Sequence, residues 1–196
     1  MPRLYRVFPF VASAAPGEPG DALHLPPQKA GRLDNPDLYT ILYCSGHPAG
    51  AIAEAFGRFP EWNQAILSGS PSLPTSVRAI ARYRLADDAR LCDLDDPAEL
   101  QKLGLRPSEV VSRDYAATRA WARRIYEQGV WAGVRWWSYY DPQWTSAGLW
   151  DLRGLTIEEV HPLRLEDAAL IEASRVITRR IVETPRGTIP AGPETR

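Results

Sequence analysis

The chain is poor in the residues that most often build metal and redox centres. Its 196 residues include two cysteines, three histidines and one methionine. Cys44 and Cys92 sit in separate apolar, strand-like runs, in neither a CxxC pair nor a spaced ligand pattern, so they read as buried free thiols. His24, His47 and His161 are too dispersed to suggest a metal site, and none is expected. Lysine is scarce as well: Lys29 and Lys102 are the only two among 23 basic residues, and arginine supplies the rest. The formal net charge is -1, so no global field draws the chain to nucleic acid or to an anionic membrane, although a local basic cleft is still open to it. No apolar run approaches membrane-spanning length, and no positively charged start leads into one. A cytoplasmic protein with no membrane contact is the expectation. There is no internal repeat. Gly129 and Gly133 follow a helical pattern rather than opening a strand–loop–helix phosphate cradle, which excludes a dinucleotide fingerprint there.

What is present resembles an ordinary globular chain, with 44% hydrophobic and 24% charged residues. The length fits one domain with a core of normal size, expected over residues 1–184, with a weakly structured tail over 185–196. Of seven tryptophans, Trp131, Trp136, Trp137 and Trp144 fall close together. Most are assigned to packing, the commoner use of a large aromatic.

LYRVFPF reads as a first strand, and the Ala-, Gly- and Pro-rich stretch over 12–31 as a loop arriving at Gly31-Arg32. LYTILYC is a second strand, followed by a helix that starts at Pro48 and ends near Gly57. Ala49, Ile52, Ala53 and Phe56 form its apolar stripe, and the spacing lets Glu54 face either a cleft or solvent. Residues 60–76 read as a long loop. VRAIARYRLA alternates as a strand with Arg78, Arg82 and Arg84 on its polar side, and ARLCDL is expected to return beside it as a hairpin. PAELQKLG carries a short helix, and RDYAATRAWARRIYEQG a longer one capped by Asp114. GVRWWS and SAGLWDL are strand candidates, and LEDAALIEASRVITRRIVE is near-helical through Leu170, Ser174, Ile177 and Ile181, with an edge strand over its start or middle as the alternative. These elements predict a mixed α+β domain.

Five polar residues stand out on this apolar frame: Arg6, Arg32, Tyr43, Glu54 and Ser138. Arg32, Tyr43 and Glu54 follow one another at intervals of eleven positions, across a turn, a strand and a helix. Guanidinium forks suit phosphate oxygens, and a carboxylate beside them suits a reaction that develops positive charge on a sugar. Each also has an ordinary reading: surface or ion-paired arginines, a core tyrosine, a solvent-facing glutamate and a turn-capping serine.

In that order, LYRVF, Gly31-Arg32, LYC, AIAEAF and DYAATRAWARRIYEQGVWAGVRWWS resemble the RES-domain family over roughly residues 3–152. The resemblance implies a single domain similar to the ADP-ribosyltransferase fold, with a split central sheet and flanking helices. It implies a toxin of a toxin–antitoxin pair that cleaves the nicotinamide–ribose bond of NAD+. Phosphorolysis to nicotinamide and ADP-ribose-1″-phosphate is the first expectation, with hydrolysis or ADP-ribosyl transfer as alternatives. NAD+ is then a substrate rather than a recycled cofactor, and inorganic phosphate a possible co-substrate. Glu54, Arg6 and Ser138 take catalytic roles, and Arg6, Arg32, Tyr43 and Ser138 bind substrate. The implied partner is a separately encoded antitoxin with a helix-turn-helix DNA-binding segment; the chain itself is not expected to touch DNA. Two departures stand out. Leu33 replaces a common phenylalanine, and Ser138-Tyr139-Tyr140-Asp141 lacks the arginine that commonly follows the serine. Strand alternation should place Arg135 with Trp137, away from Trp136. A non-enzymatic alternative is RNA binding by the Arg78, Arg82 and Arg84 face, or a partner-regulating role.

Overall fold

The computed structural model describes residues 3–28 and 30–182; the tail expected over 185–196 lies outside the described residues. In chain order the elements are β1 (Arg3–Phe10), β2 (Leu42–Ser45), α1 (Pro48–Phe56), β3 (Glu61–Trp62), a 3₁₀ turn (Gln64–Leu67), β4 (Ser68–Ser70) and β5 (Leu73–Leu85). There follow β6 (Leu91–Asp93), α2 (Pro97–Leu103), α3 (Pro107–Val110), α4 (Tyr115–Tyr126), β7 (Gly133–Trp137), β8 (Thr145–Leu149), β9 (Leu155–Pro162), α5 (Ala168–Val176) and β10 (Arg180–Ile181). The expected mixed α/β architecture, a central sheet with flanking helices, is what forms.

Local chemistry sets several boundaries. Pro48 opens α1, and the His47 ring accepts from Ala49 N to cap it. Asp114 caps α4 by accepting from Ala116 N and Ala117 N. Thr178 adopts a left-handed φ of 55°, which stops α5 before Ile181 can join it. Ile181 instead pairs in parallel with Trp62, joining β10 to β3.

The main sheet runs β4-β5-β1-β2-β8-β7-β6, with β9 added along β5. Pairing is dense between β1 and β5, where eight successive residues are in register. Between β1 and β2 it shrinks to the single rung Tyr5↔Ser45. The sheet therefore nearly divides there, and α1 packs against Tyr5 and Val7 beside that division. Three apolar clusters surround the sheet. One lies beneath α4 (Leu33, Ile41, Trp121, Ile125, Trp136), one under the loop that follows β1 (Leu4, Phe8, Tyr83, Leu149), and one between α1, α5 and Trp62. Trp136 and Trp144 are buried, as packing predicts, and so are both thiols.

Three sequence readings need correction. ARLCDL does not form a hairpin with β5: β6 pairs in parallel with β7. Both edges of β5 are already occupied, by β1 on one side and by β4 and β9 on the other. Cys92 and Leu94 are drawn instead into the core beneath α4. The 60–76 stretch holds two short strands and a 3₁₀ turn rather than one open loop. β9 was not expected, because LTIEEVHP is largely polar and reads as no apolar run.

Candidate active site

The division between β1 and β2 opens a cleft of about 400 Å³, floored by one transverse rung of the sheet. Tyr5, Ser45, Ser146 and Trp136 stand opposite one another on four neighbouring strands, so directly paired residues present one common face. Ser146 is buried and its Oγ has no hydrogen-bond partner among the described residues. Strand alternation in TSAGL would have singled it out only once its pairing with Ser45 was known.

α1 supplies the wall. Gly50 rests against Ser45, where any side chain would collide with the Ser45 hydroxyl and crowd Trp144. One turn later on the same face comes Glu54, which this close approach holds over the cleft. The Ser138 hydroxyl, just past the end of β7, donates to Glu54 Oε1 at 3.0 Å and accepts from Tyr140 N at 3.2 Å. Ser138 is buried, and its own N–H donates to Trp144 O. Water reaches Glu54 through the cleft mouth, yet protein surrounds it on most sides. That crowding raises its carboxyl pKa above the ordinary value, against the opposing effects of the Ser138 hydrogen bond and the Arg32 charge.

Arg32 enters from the turn before β2. Its Nη1 donates to Val110 O at 2.8 Å and to Ser112 O at 3.0 Å, and its guanidinium lies over the Tyr115 ring. The turn is locked by Tyr43. Its hydroxyl donates to Asp34 Oδ1 at 2.7 Å and accepts from Leu33 N at 2.9 Å, while Gly31 N donates to Asp34 Oδ2. A side chain at Gly31 would strike both Asp34 and the Tyr43 hydroxyl. Burial, with the bond to Asp34, pushes the Tyr43 phenol well above its usual pKa, so it stays neutral.

Arg6 is different. It borders the cleft through its strand, but its Nη1 donates to Ala22 O at 3.1 Å and His24 O at 3.0 Å. Those carbonyls belong to the side of the sheet that carries Tyr83 and Phe8, away from α1. The structure thus brings Glu54, Ser138, Arg32 and Tyr43 together and turns the Arg6 guanidinium to the other face. Arg135 pairs with Asp93 outside the cleft.

A second lobe of about 430 Å³ adjoins the cleft and shares Arg32 and Glu54 with it. Arg113, from the segment between α3 and α4, lines this lobe. Nothing in the local pattern VSRDY singles it out; only the tertiary fold places it there. A larger concavity of about 830 Å³, lined by Arg90, Trp131 and Asp151 among others, holds none of the five predicted residues. The two smaller lobes are the better candidate, since Arg6, Arg32, Tyr43 and Glu54, four of the five predicted residues, line them. Among the described residues, no group of three or more His, Cys, Asp or Glu side chains could hold a metal ion, and no helix is long and apolar enough to cross a membrane.

The RES domain family profile matches residues 3–170. Among solved structures, the M. tuberculosis MbcT–MbcA toxin–antitoxin complex contains a chain similar to this one, with 14% identity, a TM-score of 0.58, and coverage of 90% of this chain and 88% of that one. At that identity the likeness shows the fold alone. No curated protein matches the chain.

Proposed function

The chain belongs to the RES domain family, and from that premise we propose that it degrades NAD+ by breaking the nicotinamide–ribose bond, as the toxin of a toxin–antitoxin pair. One observation carries the reading: Glu54, oriented by Ser138, faces the cleft beside the Arg32 guanidinium. In this reaction the C–N bond pair moves onto the pyridinium nitrogen and discharges it, so nicotinamide leaves neutral. The ribose carbon left behind has oxocarbenium character, and an ionised Glu54 across the cleft stabilises it. A phosphate oxygen then forms the new C–O bond, giving ADP-ribose-1″-phosphate. Water in its place gives ADP-ribose and releases a proton.

Roles follow from the hydrogen bonds. Ser138 donates a hydrogen bond to Glu54, so it orients the carboxylate. No histidine lines either lobe, so no imidazole base is placed to activate Ser138 as a nucleophile. Arg32 has donors left over for an anionic oxygen after Nη1 meets its two carbonyls. Tyr43 positions Arg32 by holding its turn. Arg6 buttresses the loop over Ala22 and His24 and acts on substrate through the shape of the wall. Tyr139 and Tyr115, 63% and 40% exposed at the mouth, offer an aromatic rim that an antitoxin would cover. We assign that partner a helix-turn-helix DNA-binding segment, and the pair to the cytoplasm.

The RNA-binding alternative loses ground, because Arg82 and Arg84 are closed by carboxylates of β9. The deciding experiment follows NAD+ with purified protein, with and without inorganic phosphate, and identifies products by mass spectrometry. Nicotinamide with a phosphorylated ADP-ribose marks phosphorolysis, and nicotinamide with plain ADP-ribose marks hydrolysis. Intact NAD+ under both conditions, with folded protein, overturns the proposal.

A further inference from the structure

We propose that the second lobe is a phosphate-binding subsite and that Arg113 is a substrate-binding residue within it. The inference rests on the NAD+ reading above and says where a phosphate group of that reaction is held.

Arg113 is exposed, and among the described residues it makes neither a hydrogen bond nor an ion pair; its guanidinium lies over the Tyr139 ring, 5.9 Å from the centroid. A ring face attracts a guanidinium without occupying its N–H donors. Arg32, on the same lobe, is held by neutral carbonyls and likewise forms no ion pair among the described residues. Those carbonyls, Val110 O and Ser112 O, belong to the segment that carries Arg113. The first cation therefore pins the loop that presents the second.

The surrounding charges favour an anion. The neighbouring Asp114 carboxylate is turned into the start of α4, where Oδ1 accepts from Ala116 N and Ala117 N. Glu54 is the one acid that lines the lobe, and it lies at the seam with the main cleft, where the sugar reacts. Two arginine forks with no carboxylate of their own, next to that seam, match the oxygens of a phosphate group. Two sources have this chemistry: the pyrophosphate of the dinucleotide, and free inorganic phosphate approaching the ribose carbon. The pyrophosphate would sit one lobe away from the bond that breaks, whereas an attacking phosphate would reach the ribose carbon across the seam that both lobes share.

The test uses the full chain with Arg113→Ala and Arg113→Lys, each checked for fold by circular dichroism. Steady-state rates are measured with NAD+ and inorganic phosphate varied separately, and ADP-ribose and inorganic phosphate binding are measured by calorimetry. Loss of a charge-assisted contact predicts a roughly 10- to 100-fold weakening in the alanine variant, with lysine intermediate because it keeps the charge and loses the fork. A rise confined to the phosphate KM and Kd identifies the incoming phosphate. A rise in the NAD+ KM with weaker ADP-ribose binding identifies the pyrophosphate. Unchanged constants for both ligands overturn the subsite, even with NAD+ turnover intact. Should the wild-type chain leave NAD+ untouched, the calorimetry still decides: equal binding of both ligands by wild type and Arg113→Ala overturns the subsite, and weaker binding by the variant supports it.

Discussion

Two sets of arginines on this chain meet opposite surroundings. Along the outer sheet, Arg82 and Arg84 face β9, where a bulge opposite Arg82 and Tyr83 inserts Glu158. That extra residue lets one carboxylate reach Arg82 at 3.1 Å and Arg84 at 2.6 Å, with Arg3 at 3.6 Å, while Glu159 takes the other side of Arg82. In the cleft, Arg32 is held by backbone carbonyls and Arg113 by an aromatic face. Carbonyls and rings fix a guanidinium without cancelling its charge; carboxylates fix it and cancel it. The comparison teaches that the acceptor, not the arginine, decides whether a basic residue is structural or is left to bind an anion.

The largest effect should come from the one acid in the cleft. Glu54→Gln keeps the shape and the Ser138 contact but removes the charge, and turnover of NAD+ should fall by roughly a hundredfold or more. The fold should not suffer. A carboxyl whose pKa is raised in the folded state is most stabilising when protonated, and that contribution is lost as pH rises through the folded value. At neutral pH the glutamine variant should therefore melt no lower than wild type, and by thermal scan slightly higher. A folded variant with near-wild-type turnover would sink the role given to Glu54.

Next in size is the clamp behind Arg32. Tyr43→Phe removes the donor to the buried Asp34 and the acceptor for Leu33 N in one step. Leaving two buried groups unsatisfied should cost about 1–3 kcal/mol. Denaturant unfolding should read that loss, and NAD+ turnover should fall with it as Arg32 loses its fixed position. A variant as stable as wild type would show that water replaces the hydroxyl and that the clamp is not what holds the cleft arginine.

These two positions also show what the sequence could reveal. Glu54 and Arg32 were singled out by their ordered likeness to the RES domain family, and the helix carrying Glu54 announced itself through Pro48 and its apolar stripe. The strands of apolar, alternating residues were legible for the same reason. β9 was not, since its contribution is ionic: Thr156, Glu158 and Glu159 make sense only beside the arginines of β5. The parallel pairing of β6 was hidden because it depends on which edges of β5 are already filled. Arg113 was hidden because a tertiary contact, the Arg32 bond to its loop, sets its place. The Arg6 guanidinium shows the reverse limit, for its residue type suggested the cleft while its carbonyl partners lie on the other face.

A smaller, pH-dependent effect should appear at Ser138. Its hydroxyl donates to Glu54 and lowers a carboxyl pKa that burial raises. Ser138→Ala removes that donor, so the Glu54 pKa should climb further and the acidic limb of the NAD+ rate profile should move to higher pH. Above that limb the rate should recover toward wild type if the serine only orients the carboxylate. A drop that is uniform at every pH would instead mean that Ser138 contacts substrate.

The smallest effect tests the comparison itself, by opening the closed arginines. Glu158 is held below the usual carboxylate range, first by the Arg84 hydrogen bond, so its contribution to stability is present above its unfolded pKa and fades as pH falls through the lowered value. Glu158→Gln removes that pH dependence and leaves Arg82 and Arg84 without their shared acid. If charge closure is what keeps this face inert, the variant should gain weak binding to single-stranded RNA that weakens steeply with salt, while wild type shows little. NAD+ turnover should not change, because Glu158, Arg82 and Arg84 line neither the cleft nor its second lobe. RNA binding of equal strength in both proteins would mean that β9 does not silence these arginines, and the contrast drawn between the two sets would have to rest on the cleft alone.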